Sequence, residues 1–204
     1  MCVIIASPNG ARLPDQAELR EAWLRNPHGA GYMVARNNRV EIHKGFMVWP
    51  DFIRAIRDEH LTPDDAVVYH FRIATQGGVN PWMTHPFPLS SHLDHMQALD
   101  INANVGIAHN GIIPITSSSK ITDYSDTALF VTNILSRLIR SGKDITNAYV
   151  KASIEALIGT SRLAIMERSG AITRIGTWYN SDGLWYSNPY CISGANGVQY
   201  GYGW

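Results

Sequence analysis

Cysteine is scarce in this chain, with only Cys2 and Cys191 among 204 residues. A disulfide-built scaffold normally carries about four or more in a shorter secreted chain, so both are expected as free thiols. Net charge is missing too, because 17 Lys and Arg balance 17 Asp and Glu. No overall field then steers the chain toward nucleic acid or an anionic membrane surface, and neither is expected as a partner. No apolar run approaches the ~20 residues of a membrane-spanning helix. The start, MCVIIASPNG, lacks the basic flank and the roughly 7 to 15 residue apolar core of a secretion signal. A cytoplasmic location is the expectation. Internal repeats, low-complexity tracts and charge runs are absent as well. What is left is an ordinary globular composition, 45% hydrophobic and 17% charged, at a length that suits a single domain over 1–204.

The β-branched run Cys2 to Ser7, closed by Pro8-Asn9-Gly10, predicts a strand and a turn, and Asp15 with Glu18 then predicts a capping box. Leu19, Ala22 and Trp23 share a face of the helix that follows. Gly29 to Arg36 and Arg39 to His43 flank Asn37-Asn38, whose tolerance of positive φ makes a hairpin. Pro50 at a first helical position introduces a helix over Asp51 to Glu59, and Ala66 to Arg72 reads as a strand entering a Gly- and Pro-rich loop, Gln76 to Ser91. Val105 to His109 is a further strand. Asp126 to Arg140 carries Val131, Ile134, Leu135, Leu138 and Ile139 at helical spacing. A second helix runs from about Asn147 to Ile158, with Thr146 as cap and Gly159 as stop. Arg162 to Glu167 and Ala171 to Thr177 straddle the turn signal Ser169-Gly170, and Leu184 to Ser187 adds a strand after Asp182-Gly183. Adjacent helices between groups of hairpins predict an α+β fold of mainly antiparallel sheets covered by helices.

Several residues carry chemistry beside a plainer meaning. Cys2 is ordinary strand filler unless Met1 is removed, which a small second residue permits. A freed Cys2 would then hold a nucleophilic sulfur and an α-amine of pKa near ~8 in one residue. Arg72, in His70-Phe71-Arg72-Ile73-Ala74-Thr75-Gln76-Gly77, is equally a surface cation. Asn110-Gly111, in Ala108-His109-Asn110-Gly111-Ile112-Ile113, is equally a loop turn. Asp126, in Tyr124-Ser125-Asp126-Thr127, is equally a first-turn helix acid. His85, before Pro86-Phe87, is equally a loop anchor. His92 and His95 form a His-x-x-His pair with no completing ligands, so no metal site and no cofactor is expected.

In order and spacing, the Cys2 strand, the His70 to Gly77 stretch, His85-Pro86-Phe87, His109 to Ile113 and Ser125-Asp126-Thr127 together resemble the class II, N-terminal-nucleophile (Ntn) glutamine amidotransferases. The match spans Cys2 to about Thr127. The resemblance implies a four-layer αββα sandwich of two mainly antiparallel sheets. It also implies that Cys2 attacks a glutamine-like amide while its α-amine moves the proton. Asn110 and Gly111 would receive the tetrahedral oxyanion. Arg72 would bind the substrate α-carboxylate and Asp126 the α-ammonium, with His85 and Gly77 beside the substrate.

The chain departs from the family's sugar-amidating and purine-pathway members at Ile73, where Trp is common, and at Gln76, where His is frequent. Both positions bear on the rim of the pocket. No separate synthase domain fits within 204 residues, so either an ammonia-accepting synthase is a separate partner or the ammonia is simply released. The competing expectations are hydrolysis of another γ-glutamyl or small amide, and a binding module that keeps the fold without turnover. Oligomerisation is left open.

Overall fold

The computed structural model describes residues 2–74, 78–114, 124–139 and 145–192. The chain is α+β, with two antiparallel sheets. Strand β1 (Val3–Ser7) leads through helix α1 (Gln16–Arg25) to the hairpin β2 (Ala30–Arg36) and β3 (Arg39–Phe46), then to α2 (Trp49–Asp58) and β4 (Val67–Phe71). Short β5 (Phe87–Pro88), β6 (Asp100–Ala103) and β7 (Val105–Asn110) follow. Helix α3 (Asp126–Phe130) passes through a π-helical segment, Val131–Leu135, into α4 (Ser136–Leu138). Next come α5 (Ala148–Ile158), β8 (Arg162–Glu167), β9 (Ile172–Ile175), β10 (Tyr179–Ser181) and β11 (Leu184–Tyr186). The larger sheet runs β10-β11-β1-β4-β2-β3-β6 and the smaller β5-β7-β8-β9.

Local signals account for much of this. Asp15 caps α1 in a full capping box with Glu18. Asn37 and Asn38 adopt φ of 51° and 58°, the geometry of a tight hairpin turn. Three expectations are shifted. Helix α2 begins at Trp49, which puts Pro50 one residue further in. Asn147, not Thr146, caps α5, its Oδ1 accepting from Tyr149 N and Val150 N. The helix expected over Asp126 to Arg140 is regular only to Phe130; Ile139 is already extended, and Arg140 lies outside the described residues.

Strand alternation sorts the apolar side chains into three clusters. Val3 and Ile5 of β1, with Tyr32, Val34, Val67 and Tyr69, pack on Leu19, Ala22, Trp23 and Phe52 of α1 and α2. Ile4 and Ala6 point the other way and, with Met33, Ile42 and Val68, meet Ala108, Ala164 and Met166 of the smaller sheet. The outer face of that sheet, Ile107, Leu163 and Ile165, packs on Phe130, Val131, Ile154 and Ile158. Strand β1 is therefore buried on both faces, which is why it reads as one continuous apolar run. At about 1.5 to 3 kcal/mol for each fully buried large aliphatic side chain, these clusters dominate the stabilisation. No helix among the described residues is long and apolar enough to cross a membrane.

Candidate active site

Cys2 lies just before β1 and Arg72 just after β4. The antiparallel register pairs Val3 with Phe71, so one further step sets Cys2 opposite Arg72. The Cys2 Sγ stands 3.6 Å from the Ile73 carbonyl oxygen. The thiol is a free one, as is that of Cys191. Burial pushes the Cys2 thiol above its ordinary value, against the opposing pull of the Ile73 backbone and the Arg72 charge. Burial likewise pushes Cys191 up, to about 12, which leaves it a neutral thiol.

Arg72 is 5% exposed, and loss of water lowers its affinity for the proton, offset by the charge of Asp126. Its Nη1 donates to the Gly78 carbonyl at 3.1 Å. Its backbone is fixed by the bond from Arg72 N to Gly29 O at 2.8 Å and from His28 N to Arg72 O at 3.0 Å. His28 Nδ1 then accepts from Ala74 N at 2.9 Å, which pins the chain beyond the arginine.

Asn110 ends β7 and is fully buried. Its Nδ2 donates to Ser187 Oγ at 2.9 Å, while its Oδ1 has no partner among the described residues. Gly111 follows at φ 144°, a conformation that L side chains rarely adopt, and a Cβ there would fall 2.1 Å from Ser161 Oγ. Asp126 is half-buried and ties the loop after Gly111 to the start of α3. Its Oδ2 accepts from Ile113 N at 2.8 Å and its Oδ1 from Thr127 N at 2.7 Å. The Ser125 hydroxyl caps that helix, accepting from Ala128 N. Asp126 Oδ1 also accepts from the Thr127 hydroxyl at 3.3 Å, so the lone pair left for another donor is on Oδ2.

His85 packs into the interior rather than presenting an open ring. It is 5% exposed, its ring centroid is 4.3 Å from that of His70 and 4.8 Å from that of Phe87, and its Nδ1 lies 3.1 Å from His109 O and 3.3 Å from His109 N. Burial holds it well below the ordinary histidine range. Gly77 lies outside the described residues. The described residues contain no group of three or more His, Cys, Asp and Glu side chains that could hold a metal ion.

The segment after β11 supplies site residues that sequence reasoning did not single out. Asn188 Nδ2 donates to the Cys2 carbonyl, and the Tyr190 hydroxyl lies 3.4 Å from the same oxygen. Ser187 Oγ accepts from Ile4 N at 2.8 Å. Only the pairing of β11 with β1 brings these residues here, and nothing local in Ser187-Asn188-Pro189-Tyr190 announces it.

The arrangement offers a sulfur nucleophile, a buried guanidinium for a carboxylate, an acid for a cationic group, and an amide next to a glycine at the end of a strand. No family model matches the chain, and no curated protein matches it.

Proposed function

We propose that the chain is a class II, Ntn-type cysteine amidohydrolase that cleaves the side-chain amide of L-glutamine to glutamate and ammonia. The αββα layering belongs to this proposal and is supported by the three apolar clusters described above. The observation that carries it is the placement of Cys2 opposite the buried Arg72 by the β1–β4 register, with Asp126 near enough for its charge to act on the guanidinium. One buried cation stands within electrostatic reach of both the thiol and a carboxylate, and opposite charges at two ends are what an α-amino acid needs.

Removal of Met1 exposes the Cys2 α-amine. That amine takes the thiol proton as Sγ bonds to the amide carbon, and the carbonyl oxygen becomes an oxyanion received by the Asn110 side-chain N–H and the Gly111 N–H. The carbon–nitrogen bond then breaks, and the same amine returns the proton to the leaving nitrogen, which departs as ammonia. Water, deprotonated by the amine, attacks the γ-glutamyl thioester and releases glutamate and the Cys2 thiol. A thiol pushed up by burial rests in its neutral form, so attack requires this acceptor. Arg72 holds the α-carboxylate and Asp126 the α-ammonium. His85, packed against His70 and Phe87, has a packing role rather than a substrate contact in this reading. The ammonia is released or passed to a separate synthase.

The test is ammonia release from glutamine by protein whose intact mass shows Met1 removed, beside its Cys2→Ala variant. Release by the first and none by the second is expected. Equal rates in the two, or no release by either, defeat the proposal, and a panel of γ-glutamyl conjugates then decides whether another amide is cleaved.

A further inference from the structure

The four residues Ser187-Asn188-Pro189-Tyr190, which leave the end of β11, touch both halves of the proposed machinery. Ser187 is fully buried, and its Oγ accepts at once from Ile4 N at 2.8 Å and from Asn110 Nδ2 at 2.9 Å. Among the described residues this is the side-chain bond that holds Asn110, since Oδ1 is buried without a partner. One residue on, Asn188 Nδ2 donates to the Cys2 carbonyl. The Tyr190 hydroxyl sits 3.4 Å from that carbonyl and 3.3 Å from Asn26 Oδ1, its single proton shared between them.

We infer that this segment is a positioning bracket for the amide-cleaving site: Ser187 fixes the orientation of the Asn110 amide, and Asn188 fixes the Cys2 backbone. The inference rests on the amidohydrolase reading. The terminal torsion of an asparagine is broad and roughly two-fold, so an untethered amide presents either oxygen or nitrogen to a given point. Committing one N–H to Ser187 aims the other N–H of the same planar group in a fixed direction. Ser187 is in turn anchored on Ile4, two residues beyond the nucleophile on β1. The donor for the oxyanion and the sulfur that creates it are thus referenced to one strand. Such preorganised donors are effective only where their placement is held.

The experiment uses the full chain with Met1 removed, and compares wild type, Ser187→Ala and Asn188→Ala. Three quantities are measured: steady-state glutamine hydrolysis, alkylation of Cys2 by iodoacetamide, and the side-chain amide resonance of Asn110, assigned with Asn110→Asp. Ser187→Ala is expected to lower kcat roughly 10- to 100-fold with KM little changed. Its Asn110 resonance should move, while its alkylation rate stays near wild type, because displacing iodide develops no oxyanion. Asn188→Ala is expected to lower kcat with the Asn110 resonance in place, and it decides the matter if Ser187→Ala does not fold. Wild-type kcat in both variants overturns the bracket, as does a folded Ser187→Ala protein that loses kcat and Cys2 alkylation equally, since the fault would then lie at the sulfur. A wild type that folds and hydrolyses no glutamine defeats the glutaminase reading instead. The resonance arm then decides the tie between Ser187 and Asn110 by itself, and an unmoved resonance overturns it.

Discussion

Arg72 is a guanidinium almost wholly withdrawn from water, and the structure shows how it is tolerated. Desolvation disfavours its charge, while the Asp126 carboxylate and the Gly78 carbonyl oppose that effect. A planar fork of donors at such a position suits a carboxylate arriving with two acceptor oxygens, and a lysine keeps the charge but not the fork. Arg72→Lys is therefore expected to raise the KM for glutamine about 10-fold or more, with a smaller change in kcat. The scale follows from losing one charge-assisted hydrogen bond, roughly 1.5 to 3 kcal/mol. Steady-state kinetics beside wild type measures it, and an unchanged KM would remove Arg72 from substrate binding. Asp126 does double duty by comparison. Its inward bonds to Ile113 N and Thr127 N use both carboxylate oxygens, so Asp126→Asn drops the charge and also turns one acceptor into a donor facing a backbone N–H. A raised KM together with a loss of about 1 to 3 kcal/mol in thermal or urea unfolding is the expected outcome, and an unchanged KM would remove Asp126 from substrate binding.

Strand ends, where regular pairing stops, carry the candidate site residues, and Gly111 at the end of β7 illustrates the constraint. Its φ of 144° and the 2.1 Å approach of a hypothetical Cβ to Ser161 Oγ leave no room for a side chain. Gly111→Ala is expected to cost about 1 to 3 kcal/mol from backbone strain alone, with more from the overlap, and to reduce kcat by displacing a donor. Gly10→Ala is the internal control: φ is 81° there too, but nothing lies within 4 Å of the added carbon. Equal losses in thermal unfolding for the two variants would show that the contact with Ser161 does not matter. The capping box at Asp15 and Glu18 and the Asn37-Asn38 turn were legible because each is decided within four residues. Strands β6 and β10 were not. Asp100–Ala103 is a polar edge strand whose partner β3 lies far back along the chain, and Tyr179–Ser181 is a short polar edge strand that forms a hairpin with β11 across Asp182-Gly183, with too little apolar pattern of its own to announce it. The same limit hid Ser187, Asn188 and Tyr190, since their place beside Cys2 follows from β11 pairing with β1. Cys2, Arg72, Asn110, Gly111 and Asp126 were nameable because they sit in local, ordered patterns. His85 looked like a loop residue, and only the packing of its ring against His70 and Phe87 reveals it as interior.

Across the whole molecule, the seam between the sheets contains a polar cluster within its apolar filling. His70 on β4 belongs to the larger sheet, His109 on β7 to the smaller, and His85 stands just before β5. His70 Nε2 lies 3.0 Å from the His109 carbonyl, and His109 Nδ1 lies 2.7 Å from Thr127 Oγ1 on α3. The cluster therefore links both sheets to a helix. Burial pushes all three rings toward the neutral form, His70 to about 3 and His109 to about 4. An unfolded histidine titrates near ~6.5. The folded pKa is thus the lower one, and between the two values the unfolded chain binds more protons than the folded chain. Stability must then rise with pH across this window. The contribution is complete above about 6.5 and is lost progressively as pH falls toward 3 to 4. Each histidine adds a slope of about 1.4 kcal/mol per pH unit within its window. Urea unfolding at intervals from pH 4 to 7 should show a dependence of two to three protons, and His109→Asn should reduce it by one. Carboxylates add to the slope only toward the lower end of that range, because Glu18 and Asp65, held low by Arg12 and Arg36, lose their contribution as pH falls through the ordinary carboxylate range, while Glu167, raised by burial, acts with the opposite sign. A flat profile between pH 5 and 6.5 would mean that the three rings are not sealed between the sheets, and the seam would then have to open readily to water.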